Sequence, residues 1–600
     1  MGLKISDYAM IGDCESAALV GNNGSIDWLC WPRFDSEACF VAILGSEEHG
    51  HWQIAPATAP ARVERSYSGD NPVLQTDFHT ESGSVRLIDF MPVRKNHEVS
   101  DLVRIVVGLE GEVLMNMDLR VRFDYGRIAP WATRSEDQRA LRATAGPHSV
   151  TLSSPVDLEE DDRSIVSTFT VRKGQRLPFV MAYEASHLPP PKLPDAEKAL
   201  KETEAFWREW SKTCSYKGPW REAVMRSIIT VKAMTYRPTG GVVAAITTSL
   251  PEAVGGERNW DYRYCWLRDA YFTVLSLANA GYRKEAEQWC DWLLRAVAGA
   301  PSQLQPLYSI AGERRTGEVE LEGLPGHRGS HPVRAGNAAY AQLQIDVYGS
   351  VIDTLYEARC LGLDLHETSR GVEHELLRHL ETIWDKPDAG IWEVRSDPQH
   401  FVHGKLMAWV AFDRAIASAE RFGFEGPVDH WRGLRADIRR DIEEKGFSRK
   451  RNAFVQAYGA EALDASVLLM PIVGFLDVED PRMASTIAAI EENLMREGLV
   501  LRYDTEESVD GLPGDEGAFL ACSFWLADNY ILQGRRNEAI TLFERILSLR
   551  NDVGLLSEQY DWEGKELVGN FPQAFSHFAL VDTAYNLAQD EKKGQGKDRK

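Results

Sequence analysis

Three segments far apart in the chain each set a carboxylate beside an indole or a phenol: Trp266-Leu267-Arg268-Asp269, Ile391-Trp392-Glu393 and Ser557-Glu558-Gln559-Tyr560. Aromatic faces stack on the C–H surface of a sugar ring, and carboxylates, arginine and amides bond its hydroxyls. The combination fits a carbohydrate better than a phosphate or a metal. Cutting a glycosidic bond with inversion needs a carboxylic acid to protonate the leaving oxygen and a carboxylate to activate water, the two lying ~6.5–9.5 Å apart. Glu393 and Glu558 are the candidates for that pair. An aromatic wall such as Trp392 is expected to favour the protonated form of the carboxyl next to it. A helix cap or a solvated surface is the commoner role for any single glutamate, so the weight comes from the three segments together.

Residues so distant must be gathered by the fold. From about residue 218 the apolar positions follow the i, i+3, i+4 period of helices, and twelve segments result: 218–235, 267–281, 283–299, 339–362, 371–385, 403–423, 428–445, 463–475, 480–496, 517–534, 535–549 and 573–589. Connections after the even-numbered segments are mostly short. Those after the odd-numbered segments are long and rich in Trp, Gly, Arg and acids. Helices joined by short loops run antiparallel, so six hairpins deliver every long loop to one end. All three segments lie in such loops, and loops that long usually bind something.

Before residue 190 the pattern is that of strands. Short alternating runs at 84–88, 102–107 and 164–171 are separated by Gly, Asp and Asn turns, as in an antiparallel β-sandwich. The division expected is a sandwich over 1–190, a linker with a connecting helix over 191–217, a helical domain over 218–590 and a disordered tail over 591–600. Six hundred residues exceed what one ordinary core holds, which agrees with two packed bodies.

A net charge of −23 and a pI near 5.2 argue against a nucleic-acid partner. The eight cysteines form no CxxC pair and read as buried thiols, and the 15 histidines include no HExxH motif, so no metal site is expected. An ion held by loop carboxylates stays open. No basic start followed by an apolar run and cleavage site is present, and no apolar stretch of ~18 residues occurs. A cytoplasmic protein with no membrane partner is expected; monomer and homo-oligomer both stay open.

The three segments resemble the signatures of glycoside hydrolase family 15, the glucoamylase and bacterial trehalase family. The runs at 5–13 and 24–36 resemble its bacterial branch, so the likeness spans nearly the whole chain. It implies an N-terminal β-sandwich and a C-terminal (α/α)6 barrel. It also implies that Glu393 is the general acid and Glu558 the general base, and that Arg268 and Asp269 hold hydroxyls of the non-reducing-end glucose. Fungal members carry a second acid directly after the catalytic one; here that position is Val394. Trp266, Trp392 and Tyr560 are expected to line the site.

Two further long-loop segments, 331–337 and 514–519, make Arg334, Asn337 and Glu516 expected sugar contacts. For Arg334 an ion pair steadying its own loop is an equal alternative. Glu516 is a second contender for a catalytic carboxylate, because Gly514 and Gly517 would admit a substrate closely. Trp260, Tyr264 and Trp266 are each as much core as platform, and His577 reads as a core histidine.

The expectation is an inverting, cofactor-free exo-hydrolase releasing β-glucose from trehalose or another α-glucoside. Two alternatives share the scaffold. A binding or regulatory protein would not need both glutamates, and in a phosphorylase a carboxylate at the base position would repel phosphate.

Overall fold

The computed structural model of the chain describes residues 2–161, 163–507 and 510–597. Its first domain is built of antiparallel strands in two layers that share one long strand, Ser100–Arg120. The front half of that strand pairs with Gly83–Phe90 and Arg176–Ala185, and the back half with Ser164–Arg172 and His51–Pro56. The strand changes layer at Gly108 and Gly111. Gly111 has φ +63°, and a Cβ on Gly108 would stand 2.2 Å from the Arg172 carbonyl, so neither place suits a side chain. Apolar residues alternate inward along the strands, and Trp28, Trp31 and Trp52 are fully buried. Each indole contributes about 4–6 kcal/mol by area before the cost of ordering it.

A linker helix, Ala196–Ser211 (α1), follows; the Asp195 side chain caps it by accepting from Lys198 N at 2.8 Å. It joins the two domains. Ser211 bonds the Asp70 carbonyl of the strand domain, and the Trp210 ring stacks on Tyr282 of the helical domain with centroids 4.1 Å apart.

Twelve helices make the second domain: Arg221–Ala233 (α2), Ala270–Asn279 (α3), Arg283–Ala296 (α4), Asp346–Cys360 (α5), Ser369–Leu380 (α6), Val402–Phe422 (α7), Val428–Lys445 (α8), Leu469–Ile472 (α9), Pro481–Asn493 (α10), Leu520–Leu532 (α11), Arg536–Leu547 (α12) and Ala574–Lys597 (α13). Every second helix belongs to an inner ring. α3, α5 and α7 touch in turn, α7 reaches α9 through the 3-10 turn Ala465–Leu468, and α11 and α13 close back on α3. Inner helices are apolar nearly all round, whereas the outer α8 buries little more than Trp431, Ile438 and Ile442 on one stripe. This is an (α/α)6 barrel, its long connections all leading from an outer helix to the next inner one.

The outcome differs from expectation at three places. Segment 339–362 begins as a helix only at Asp346, because Asn337 caps a separate 3-10 turn, Ala338–Ala341. Segment 463–475 yields a single turn of α-helix, since Pro471 lacks an N–H and Gly474 turns the chain out at φ +81°. The last helix runs to Lys597, past the end expected for it at 589. Residues 598–600 lie outside the described ones. Among the described residues no helix is long and apolar enough to cross a membrane.

Candidate active site

Segment 259–269 forms one wall of the site and is held from behind by the strand domain. Arg263 is fully buried; it pairs with Asp261 at 2.6 Å and donates to the Ser36 carbonyl and the Tyr125 hydroxyl at 2.7 Å each. Trp28 of the same domain donates to the Ile246 carbonyl at 2.7 Å. The β-bridge of Cys265–Trp266 with Leu307–Tyr308 fixes the next stretch. The alternation of an extended chain then sends Tyr262, Trp266 and Arg268 inward.

Glu393 stands on a tight turn in the left-handed region, φ +58°, an unusual place for a side chain of this size. One of its oxygens, Oε1, accepts from Trp266 Nε1 at 2.8 Å, Arg268 at 2.9 Å and Gln344 Nε2 at 3.2 Å. Donors therefore surround it where an apolar wall was expected. Trp392 turns its own N–H away, to Asp464 at 2.9 Å. Arg268 also pairs with Asp346 at 3.1 Å, which fixes the guanidinium.

Glu558 is fully buried. The Tyr262 hydroxyl donates to its Oε1 at 2.9 Å and the Asn570 N–H to its Oε2 at 3.3 Å. Burial raises its carboxyl above the usual range, and the Glu252 carboxylate raises it further; Arg502, Tyr262 and Asn570 oppose the rise. The two glutamates are linked across the wall, since the Tyr262 ring meets the Trp266 ring edge-on with centroids 5.2 Å apart.

Two cavities meet here. The inner one, about 920 Å³ of empty space, is lined by Trp266, Arg268, Asp269, Trp392 and Glu393 and continues down the barrel to His403. The outer one, about 420 Å³, is lined by Glu252, Trp260, Asn337 and Arg395. Tyr262, Trp392, Glu393 and Arg502 line both. Glu558 is among the lining residues of neither and meets them through Tyr262. Burial pushes the Asp269 carboxyl up to about 7, against the pull of Arg268.

The other sequence candidates have partners of their own. Asn337 lines the outer cavity, but its amide caps Ala339 and bonds the Asp261 carbonyl. Arg334 donates to the carbonyls of Glu257 and Asn259 at 2.9 and 3.0 Å and, like Arg395, lies 4.6 Å from the centroid of the Trp260 ring. Glu516 is buried in ion pairs with Arg502 and Arg258. Tyr560 sits on the strand Gln559–Asp561 near Arg545, among the lining residues of neither cavity. His577 is buried in the core, one ring nitrogen against Ser227 Oγ.

Sequence reasoning passed over Tyr262, Glu252 and Arg502. Tyr262 lies shortly before Trp266 in the same long loop, and Arg502 lies in the long loop after the segment 480–496; that position was the available signal. Among the described residues no group of three or more His, Cys, Asp and Glu side chains could hold a metal ion.

Residues 218–585 match the model for glycosyl hydrolases family 15, and residues 2–205 match the trehalase-like N-terminal model. The chain is 34% identical to a trehalase of Thermoplasma volcanium, over 98% of this chain and 94% of that one. It is 36% identical to a trehalase of Mycobacterium tuberculosis, over 98% and 90%. In fold it resembles a bacterial glucoamylase solved with acarbose, with a TM-score of 0.74 at 13% identity over 98% of this chain and 94% of that one. Two domains in this order, with acids and aromatics gathered at one mouth of the barrel, thus carry a family relationship along nearly their whole length: the chain belongs to glycosyl hydrolase family 15 and is a glycoside hydrolase.

Proposed function

We propose that the chain hydrolyses α,α-trehalose with inversion, Glu393 acting as general acid and Glu558 as general base. The observation that carries this reading is the pairing of the two glutamates across the Tyr262–Trp266 wall, in a chain whose full length follows curated trehalases. One glucose would occupy the inner cavity, its hydroxyls held by Arg268 and Asp269. The glycosidic oxygen would then lie at Glu393, where the two cavities join.

Oε1 of Glu393 is occupied by three N–H donors, which leaves Oε2 to carry the proton given to the leaving oxygen. Glu558 takes a proton from water as the water attacks C1 from the opposite face. The C1–O bond breaks as the new one forms, so the attacked glucose emerges as β. The departing glucose keeps its own C1–O bond and emerges as α. Asn337, Arg334 and Glu516 contribute by steadying the surrounding loops, and no cofactor enters the reaction. Eight free cysteines support a reducing, cytoplasmic setting.

The test is glucose release from trehalose, maltose, maltotetraose and isomaltose, with anomers followed by proton NMR. Equal initial amounts of α- and β-glucose from trehalose, with slow or no release from the others, is the expected result. Release of α-glucose alone would overturn inversion, and inert trehalose would overturn the substrate.

A further inference from the structure

Glu252 lies next to the candidate base, and its place follows from backbone geometry. Gly569 N donates to the Pro251 carbonyl at 2.6 Å. The other side of Gly569 faces Glu558, where a Cβ would stand 2.6 Å from Oε2. Residue 252 is thereby brought beside the Glu558 carboxylate. Its own carboxylate is buried and is held by Arg502 at 3.0 Å. Unlike Glu558, Glu252 lines the outer cavity.

The charges around this pair do not cancel. Glu558 faces Glu252, Arg502, the Tyr262 hydroxyl and the Asn570 N–H. Glu252 faces Arg502, Arg258 and Glu516. Arg258 is further shared with Asp510 at 2.8 Å, and Tyr503 donates to Asp510. Four carboxylates thus depend on two guanidiniums, with Glu252 and Glu558 both buried. Like charges brought together under burial cannot all stay ionised.

We infer that Glu252 is a positioning residue for Glu558: the two carboxylates share the field of Arg502, and the charge on Glu252 governs when Glu558 is free to take a proton from water. The inference rests on the reading of Glu558 as the base. Burial raises both carboxyls; the charge on Glu252 raises Glu558 further, and that on Glu516 raises Glu252. A base must be ionised to act, so activity is lost as pH falls through the value of Glu558, and the charge on Glu252 moves that loss to higher pH.

The experiment is the pH profile of kcat/KM on trehalose for the wild type, Glu252→Gln and Glu252→Asp. The neutral variant is expected to move the acidic limb down by on the order of one pH unit and to leave the alkaline limb in place. The aspartate, which keeps the charge, retains the wild-type limb. A residue with only a packing role would lower the rate at every pH and leave the limb unmoved, and that result overturns the inference.

Glu558→Gln separates the two claims. If it stays active, the base assignment itself has failed; if it is inactive while the limb of Glu252→Gln is unmoved, only the role of Glu252 has failed. Should Glu252→Gln not fold, an infrared titration of the wild type decides. A protonated-carboxyl band absent from Glu558→Gln is expected to titrate above the ordinary carboxylate range, and titration within that range overturns the inference.

Discussion

Tyr262 donates its hydroxyl to Glu558 at 2.9 Å. The bond favours the carboxylate and so opposes the effect of burial. Tyr262→Phe removes it while keeping the ring against Trp266. A hydrogen bond to a charged group contributes about 1.5–3 kcal/mol, so kcat/KM on trehalose should fall about 10- to 100-fold. The acidic limb of its pH profile should move upward, because Glu558 then ionises later. An unmoved limb would show that the hydroxyl does not act on Glu558.

Glu393→Gln and Glu558→Gln should each retain the far-UV circular dichroism of the wild type and lose ~10²–10⁴-fold in turnover, since each removes one proton-transfer role. Wild-type turnover in either variant would remove that residue from the mechanism.

Asp269 lines the inner cavity, and burial pushes its carboxyl up to about 7. Asp269→Asn keeps the shape and loses the charged acceptor for a sugar hydroxyl. KM should rise and kcat should fall together, measured by glucose release; an unchanged KM would place the sugar elsewhere.

Gly569 has φ +75°, and a Cβ there would stand 2.6 Å from Glu558 Oε2. Gly569→Ala should therefore displace the Glu558 carboxylate and cut activity by about tenfold or more. The backbone penalty is about 1 kcal/mol, small enough for the protein to stay folded. Calorimetry and a rate assay on one preparation separate the two effects.

Asp528 accepts from Asn586 Nδ2 at 2.9 Å and Thr583 Oγ1 at 3.2 Å, and burial pushes its carboxyl from near 3.8 up to about 7. In that window the folded state binds more protons than the unfolded one. Its contribution to stability is therefore complete below about pH 3.8 and is lost as pH rises through about 7. Asp528→Asn keeps an acceptor oxygen and removes the loss. The melting temperature of the variant relative to wild type should climb between about pH 5 and pH 8. A difference independent of pH would mean that Asp528 titrates in the ordinary range.

Much of this architecture can be read in the chain because its signals are periodic. Helical spacing marks out the twelve segments, and the contrast between short and long connections shows which end carries Trp266, Glu393 and Glu558. The short ninth helix was hidden because the apolar run 463–475 reads as helix until Pro471 is weighed. Partner choice was the harder part. Glu516 is preceded by a glycine-rich loop, which suggested access to a sugar, yet Arg502 and Arg258 claim it. Glu252 and Glu558 meet across 306 positions of sequence, through a glycine whose significance lies in the side chain it lacks. No pattern of period 2 or 3.6 encodes which acid meets which arginine.

Arg263 carries a consequence for how such a protein can be inherited or engineered. Its guanidinium belongs to the barrel by sequence, but two of its partners, Ser36 and Tyr125, belong to the strand domain. A barrel begun at residue 218 would keep both glutamates and lose the bracket that aims the segment between Asp261 and Asp269. The Arg263–Asp261 pair would be left facing water on a side built to be dry. The strand domain is thus less an appended module than the back wall of the reaction chamber, and shuffling it for a foreign sandwich would exchange a stable fold for a misaimed one.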